Sequence, residues 1–79
     1  LVVEDDPLLR TEVSRAIVAD PALELVAACT TGAEALAVQG PVDVAIVDLG
    51  LPDIDGGDLI RALRDRRPEL EVLVHTIHE

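Results

Sequence analysis

Acidic side chains fall just past the apolar runs of this chain: Glu4 and Asp5 after Leu1-Val2-Val3, and Asp48 after Val44-Ala45-Ile46-Val47. If these runs are neighbouring parallel strands, three carboxylates meet at the strand ends, where open parallel sheets bind their ligands. Like charges crowded there raise at least one pKa unless a cation lies among them. A hard divalent ion relieves the repulsion. Mg²⁺ suits such a place because it takes one or two carboxylates, keeps several waters and accepts oxygens from an incoming phosphate. Thr76 follows a later apolar run, Val72-Leu73-Val74, and brings a hydroxyl to the same edge.

Other polar residues read as structural. Asp6 precedes Pro7 and serves as a helix cap. Asp53, Asp55 and Asp58 lack the ligand order of an EF-hand calcium loop, and Asp55 is better explained as a second cap. The single Cys29 lies in an apolar stretch, where a small buried thiol is the simplest reading. His75 and His78 read as ordinary strand or surface histidines, and Arg64, Arg66 and Arg67 as a solvated helix end.

The acids are positioned by alternating short apolar runs and helix-period stretches, the pattern of βα units around a parallel sheet. Four strands and three helices are expected. Leu1 to Val3 forms a strand, and Asp6-Pro7 opens a helix whose stripe Leu9, Val13, Ala16 and Ile17 is buried, ending at Asp20-Pro21. Glu24 to Ala28 forms the next strand. Thr31-Gly32-Ala33-Glu34 has capping-box spacing and opens a helix to about Val38, broken by Gly40-Pro41. The unbroken run Val44 to Val47 reads as a central strand covered on both faces. A third helix starts after Asp55, turns Leu59, Ile60 and Leu63 inward and closes at Pro68, and Val72 to Val74 is the last strand.

Composition narrows the classes of function. The 79 residues make one small domain, with no aromatic residue, Met or Lys, so its core is built from Leu, Ile, Val and Ala. A net charge of −10 disfavours nucleic acid and anionic membrane as direct partners. No stretch reaches the roughly 20 apolar residues of a membrane span and no leader opens the chain, so a cytoplasmic location is expected. Without Met, Leu1 is not expected to be a translation start, and the sequence is expected to be a piece of a longer chain.

The segments Leu-Val-Val-Glu-Asp-Asp-Pro, Val-Asp-Leu-Gly-Leu-Pro-Asp-Ile-Asp-Gly and Val-Leu-Val-His-Thr, in this order, closely resemble the motifs of response-regulator receiver domains. The phrasing near the end is similar to receivers of the LuxR/NarL-type transcriptional regulators. The resemblance implies a flavodoxin-like (CheY-like), doubly wound α/β/α sheet with the first and third strands side by side. It also implies that residues 1–79 are a partial receiver, ending after the fourth strand and lacking the last helix-strand-helix. The family's catalytic Lys and aromatic switch residue belong to that missing part. Domain exchange with a neighbouring molecule is another way to supply it.

By the same resemblance, Asp48 accepts a phosphoryl group from a sensor histidine kinase or phosphotransfer protein. Asp5 and Asp48 ligate Mg²⁺, Glu4 reaches it through water, and Gly50 offers its main-chain carbonyl. Thr76 is the hydroxyl that couples Asp48 to the partner face. The output implied is transcription regulation, with DNA bound only by a domain outside this segment, and a homodimer is a further implied partner. A phosphorylation-independent pseudo-receiver acting as an interaction module is the alternative. An aspartyl-phosphate phosphotransferase or phosphatase is disfavoured, because Gly50 stands where its second carboxylate belongs.

Overall fold

The computed structural model describes residues 1–75. Its elements alternate as β1 (Val2–Val3), α1 (Pro7–Ala19), β2 (Ala28–Cys29), α2 (Gly32–Ala37), β3 (Val44–Val47), α3 (Gly56–Arg66) and β4 (Glu71–Val74). The strands form one sheet in the order β2-β1-β3-β4, with every pair parallel. That is the flavodoxin-like order expected, and it places β1 and β3 side by side.

Strand pairing sets which side chains share a face. Cys29, Val3 and Val47 lie in one row, and Ala28, Val2 and Ile46 in the row before it. Because successive side chains alternate across a sheet, these rows point to opposite faces. The first row, with Leu1, Ala45, Ala35, Leu59, Leu63 and Leu70, forms the densely buried core under α2 and α3. Leu59 and Leu63 are fully enclosed, as the helical spacing predicts, while Ile60 is half-buried.

Helix ends follow the capping residues. The Asp6 carboxylate accepts the Leu8 and Leu9 N–H groups, and Asp55 does the same for Gly57 and Asp58. At α2 the Thr31 hydroxyl oxygen accepts the Glu34 N–H, as a capping box requires. The reciprocal arm differs from expectation: the Glu34 carboxylate accepts from the Thr31 hydroxyl rather than from the Thr31 backbone. The Gly32 and Ala33 N–H groups are instead taken by Asp53, from the loop after β3. Gly40, at φ 84°, occupies the left-handed region just past α2 and allows the break there.

Three expectations are corrected. None of the α1 residues is fully buried: Leu9, Val13 and Ile17 are half-covered and Ala16 is exposed. On that face of the sheet α1 packs against β1, while Val44 and Leu73 remain 38% and 57% exposed. Among the described residues, α1 is the helix that covers this face, and its outer flanks have no further element against them. The second strand is also shorter and later than the expected Glu24 to Ala28: only Ala28 and Cys29 pair, with Val2 and Val3 of β1. Finally, Arg66 and Arg67 are not simply solvated. Arg66 donates to the Leu36 carbonyl, and Arg67 donates to the Val38 and Gly40 carbonyls, tying the end of α3 to the end of α2. Those carbonyls have no further helical turn to satisfy them, so the guanidinium groups serve as their caps. Among the described residues, no helix is long and apolar enough to cross a membrane.

Candidate functional site

Three carboxylates meet where β1 and β3 end. Val3 pairs with Val47, so Glu4 and Asp48 stand level with each other one residue beyond the paired row. The ladder carries on there: the Asp48 N–H donates to the Val3 carbonyl at 2.9 Å, and the Glu4 N–H to the Cys29 carbonyl at 2.9 Å. Asp5 follows on the same turn. Glu4, Asp5 and Asp48 each bring a carboxylate oxygen to within 4.8 Å of the others.

The turn that holds the first two acids is locked from both sides. Asp6 donates its backbone N–H to Glu4 Oε2 at 3.2 Å. Arg10, on the first turns of α1, donates to the Glu4 carbonyl at 3.0 Å and to the Asp5 carbonyl at 3.4 Å. Pro7 at the first helical position lets α1 begin at once, which brings Arg10 back over the strand end.

The loop after β3 is equally constrained. The Gly50 N–H donates to Asp48 Oδ1 at 3.0 Å, closing an Asx turn. Further along, Gly56 opens α3 against the backbone of Leu49; a Cβ at Gly56 would lie 2.6 Å from Leu49 Cα. The Asp-Gly pair thus lets α3 press directly on the residue after Asp48. Asp53 binds the start of α2, so this loop is held at both ends.

The charges are unequal in their surroundings. Glu4 is 4% exposed, and burial pushes its pKa up from 4.5 to about 7, with the nearby Asp48 adding to the rise. Burial works the same way on Asp48 but is outweighed by the Gly50 N–H, by Glu4 and Asp5 and by the charge of His75, which hold Asp48 below the ordinary carboxylate range. The site therefore contains a ready anion in Asp48 beside a group that resists ionisation. Separating the pKa values of neighbouring acids is a recurrent sign of a working site. An all-oxygen donor set that carries this strain is suited to a hard divalent cation.

Glu4, Asp5 and Asp48 are thus brought together as the sequence led us to expect. Gly50 lies beside them through its N–H. Thr76 and His78 lie outside the described residues. Three residues that bear on the site or on its loop lie beyond the sequence reading. His75 reads from sequence as an ordinary strand histidine, yet its Nδ1 is 3.7 Å from Glu4 Oε1. Its place one residue past an apolar run, like Glu4 and Asp48, was the available signal. Arg10 had the weaker signal of lying one turn into the helix that follows the acids. For Asp53 there was none, since its partners are 20 and 21 residues away in the chain. Cys29 is buried and its thiol pKa is raised by that burial, so it stays the inert thiol expected.

Comparison with known proteins agrees with this geometry. Residues 1–79 match the family described as response regulator receiver domain. The transcriptional regulatory protein DegU of Brevibacillus brevis is 32% identical over 81 residues, covering all of this chain and 34% of that protein. The nitrate/nitrite response regulator protein NarP of Escherichia coli is 32% identical over 81 residues, covering all of this chain and 38% of NarP. Among solved structures, the BeF3-activated receiver domain of DrrB, a Thermotoga maritima OmpR/PhoB homolog, superposes with a TM-score of 0.85 at 29% identity. That alignment covers 99% of this chain and 64% of the DrrB receiver chain. The chain spans about a third of the length of these curated relatives. The match takes in all the strand ends that carry acids, and the chain belongs to the response regulator receiver domain family.

Proposed function

We propose that Asp48 is the phosphoacceptor of this receiver and that phosphorylation there switches an output carried elsewhere in the protein. The observation that carries the reading is the carboxylate of Asp48, held ionised at the end of a central strand within reach of Glu4 and Asp5. The Gly50 N–H fixes the orientation of the Asp48 carboxylate through Oδ1, and a carboxylate oxygen of Asp48 is the attacking atom. That oxygen forms a bond to phosphorus as the bond from phosphorus to the donor's histidine nitrogen breaks. The released imidazole keeps the electron pair and takes up a proton. The donor is a sensor histidine kinase or a phosphotransfer protein, and the product is an acyl phosphate on Asp48.

Mg²⁺ is the cofactor on this reading, held by Asp5, Asp48 and the Gly50 carbonyl, with Glu4 acting through water. When bound, it neutralises charge on the transferring phosphoryl oxygens. Arg10 and the Asp6 N–H keep the acids in place, and the Asp48 turn keeps the nucleophile aimed. Thr76, next along the chain from His75, supplies the switch hydroxyl. The chain itself is a phosphoacceptor that assists its own phosphorylation and dephosphorylation, rather than an enzyme acting on other molecules.

The receiver is proposed to continue past residue 79 with a further helix-strand-helix. The exposed Val44 and Leu73 on the α1 face and the 64% coverage of the DrrB receiver support this. The output is proposed to be transcription regulation through a separate DNA-binding domain, supported by the names of DegU and NarP. A homodimer and a cytoplasmic location complete the reading. The intact acid trio favours the phosphorylated switch over a phosphorylation-independent interaction module.

Intact-mass measurement of the full-length protein after incubation with acetyl phosphate and Mg²⁺ tests this. One added phosphoryl group, absent with EDTA and absent in Asp48→Asn, is expected. A folded protein that gains no phosphoryl group from acetyl phosphate or from a kinase donor would overturn the proposal.

A further inference from the structure

His75 stands directly after β4, and its backbone N–H donates to the Val47 carbonyl at 2.9 Å. The ladder therefore runs one residue past the paired Val47 and Val74 and fixes the position of His75. Val3, Val47 and Val74 form one row across three neighbouring strands, so Glu4, Asp48 and His75 form the next. Side-chain alternation sends all three to the same face. The imidazole thus reaches the acidic site from the β4 side.

The two oxygens of Glu4 are divided between two donors. Oε2 accepts the Asp6 N–H at 3.2 Å, while Oε1 faces His75 Nδ1 at 3.7 Å. At 3.7 Å the imidazole lies just outside hydrogen-bond range of Oε1, beside it and level with it. The His75 side chain is 36% exposed and that of Glu4 is 5% exposed, so the contact seals the solvent side of an otherwise enclosed carboxylate. With Oε2 pinned from the backbone, the remaining freedom of Glu4 is the direction of Oε1.

We propose that His75 is a positioning residue for the cation site: its imidazole N–H orients the Glu4 carboxylate and so sets divalent-cation affinity. The inference rests on the receiver reading for its biological meaning, since cation affinity controls how readily Asp48 gains and loses its phosphoryl group. Outer partners that orient a ligating group are worth about tenfold or more in metal affinity. A half-exposed imidazole acting on a carboxylate that itself works through water belongs at the low end of that range.

The test uses the full-length protein with His75→Leu, which keeps bulk and removes the donor, and His75→Asn, which keeps an N–H near the Nδ1 position. Mn²⁺ affinity is read by electron paramagnetic resonance of the free ion, with Mg²⁺ competition, and far-UV circular dichroism confirms that each variant is folded. His75→Leu is expected to weaken Mn²⁺ and Mg²⁺ binding about tenfold, and His75→Asn to recover most of the loss. Unchanged or tighter binding in His75→Leu would overturn the proposal, and so would equal weakening in both variants, which would make ring packing the cause. The measurement needs no phosphoryl donor. A protein that shows these shifts but never phosphorylates would sink the receiver mechanism alone, whereas one that phosphorylates normally without them would sink the role of His75 alone.

Discussion

Replacing Glu4 by Gln should remove most of the penalty that the metal-free site imposes on the fold at neutral and alkaline pH. Glu4 is 4% exposed and its pKa is raised from 4.5 to about 7 by burial first and by Asp48 second. A group whose folded pKa lies above its unfolded value leaves stability intact below the unfolded value and removes it as pH rises through the folded one. For Glu4 the window runs from pH 4.5 to about 7, and the loss across it is of the order of 3 kcal/mol. The gap for Asp48 has the opposite sign and acts below its ordinary 3.8, outside this window. Gln keeps an oxygen for the Asp6 N–H and carries no charge. Urea unfolding followed by far-UV circular dichroism suits a chain without aromatic residues. With EDTA present, the wild-type protein should lose about 3 kcal/mol more than Glu4→Gln between pH 4.5 and 8. Adding Mg²⁺ at pH 8 should then stabilise the wild type more than the variant, because binding to the folded state alone stabilises it. Parallel pH curves for the two proteins would refute the account of the acidic site.

Three further substitutions probe what holds the site. Leu59→Ala opens a cavity at a fully enclosed position under the sheet and should cost about 2–5 kcal/mol, read as a lower urea midpoint. Gly56→Ala drives a Cβ against the Leu49 backbone and should cost about 1–3 kcal/mol while slowing phosphorylation, because the clash shifts the loop beside Asp48. An unchanged phosphorylation rate in that variant would show that the loop does not position Asp48. Asp53→Ala frees the Gly32 and Ala33 N–H groups, whose amide hydrogen exchange should speed up. Those hydrogen bonds hold the Asp53 pKa below 3.8, so its contribution is present above that pH and fades as pH falls through the lower folded value. Exchange at Gly32 and Ala33 that did not respond to the substitution would contradict the contact.

Much of the fold was legible because local chemistry and packing agree in this chain. Asp6-Pro7, Thr31 and Asp55 mark helix starts by hydrogen-bonding chemistry that needs no distant partner. The run Val44 to Val47 announces a central strand, and it pairs on both edges, with β1 and β4, although the expected cover on both faces is incomplete because Val44 is exposed on the α1 side. The acid trio was legible for the same reason: an apolar run fixes where a strand ends, and the residue beyond it must project into the site. What escaped notice depends on distant partners. Burial of α1 depends on what else covers its face, which its own spacing does not report. Asp53 and Arg67 act across 20 to 29 residues of chain, and no local pattern marks a carboxylate or guanidinium for a particular backbone group far away. His75 has no local pattern that marks its partner; its level with Asp48 across the ladder is what gives it one.

The most direct test of the central claim asks which residue carries the phosphoryl group. Borohydride reduction of the phosphorylated protein converts a phosphoaspartate to homoserine, and peptide mass mapping locates the change. Reduction confined to Asp48 is the predicted result, and a signal at Asp5, at Asp53 or at no aspartate despite a mass gain would contradict the account.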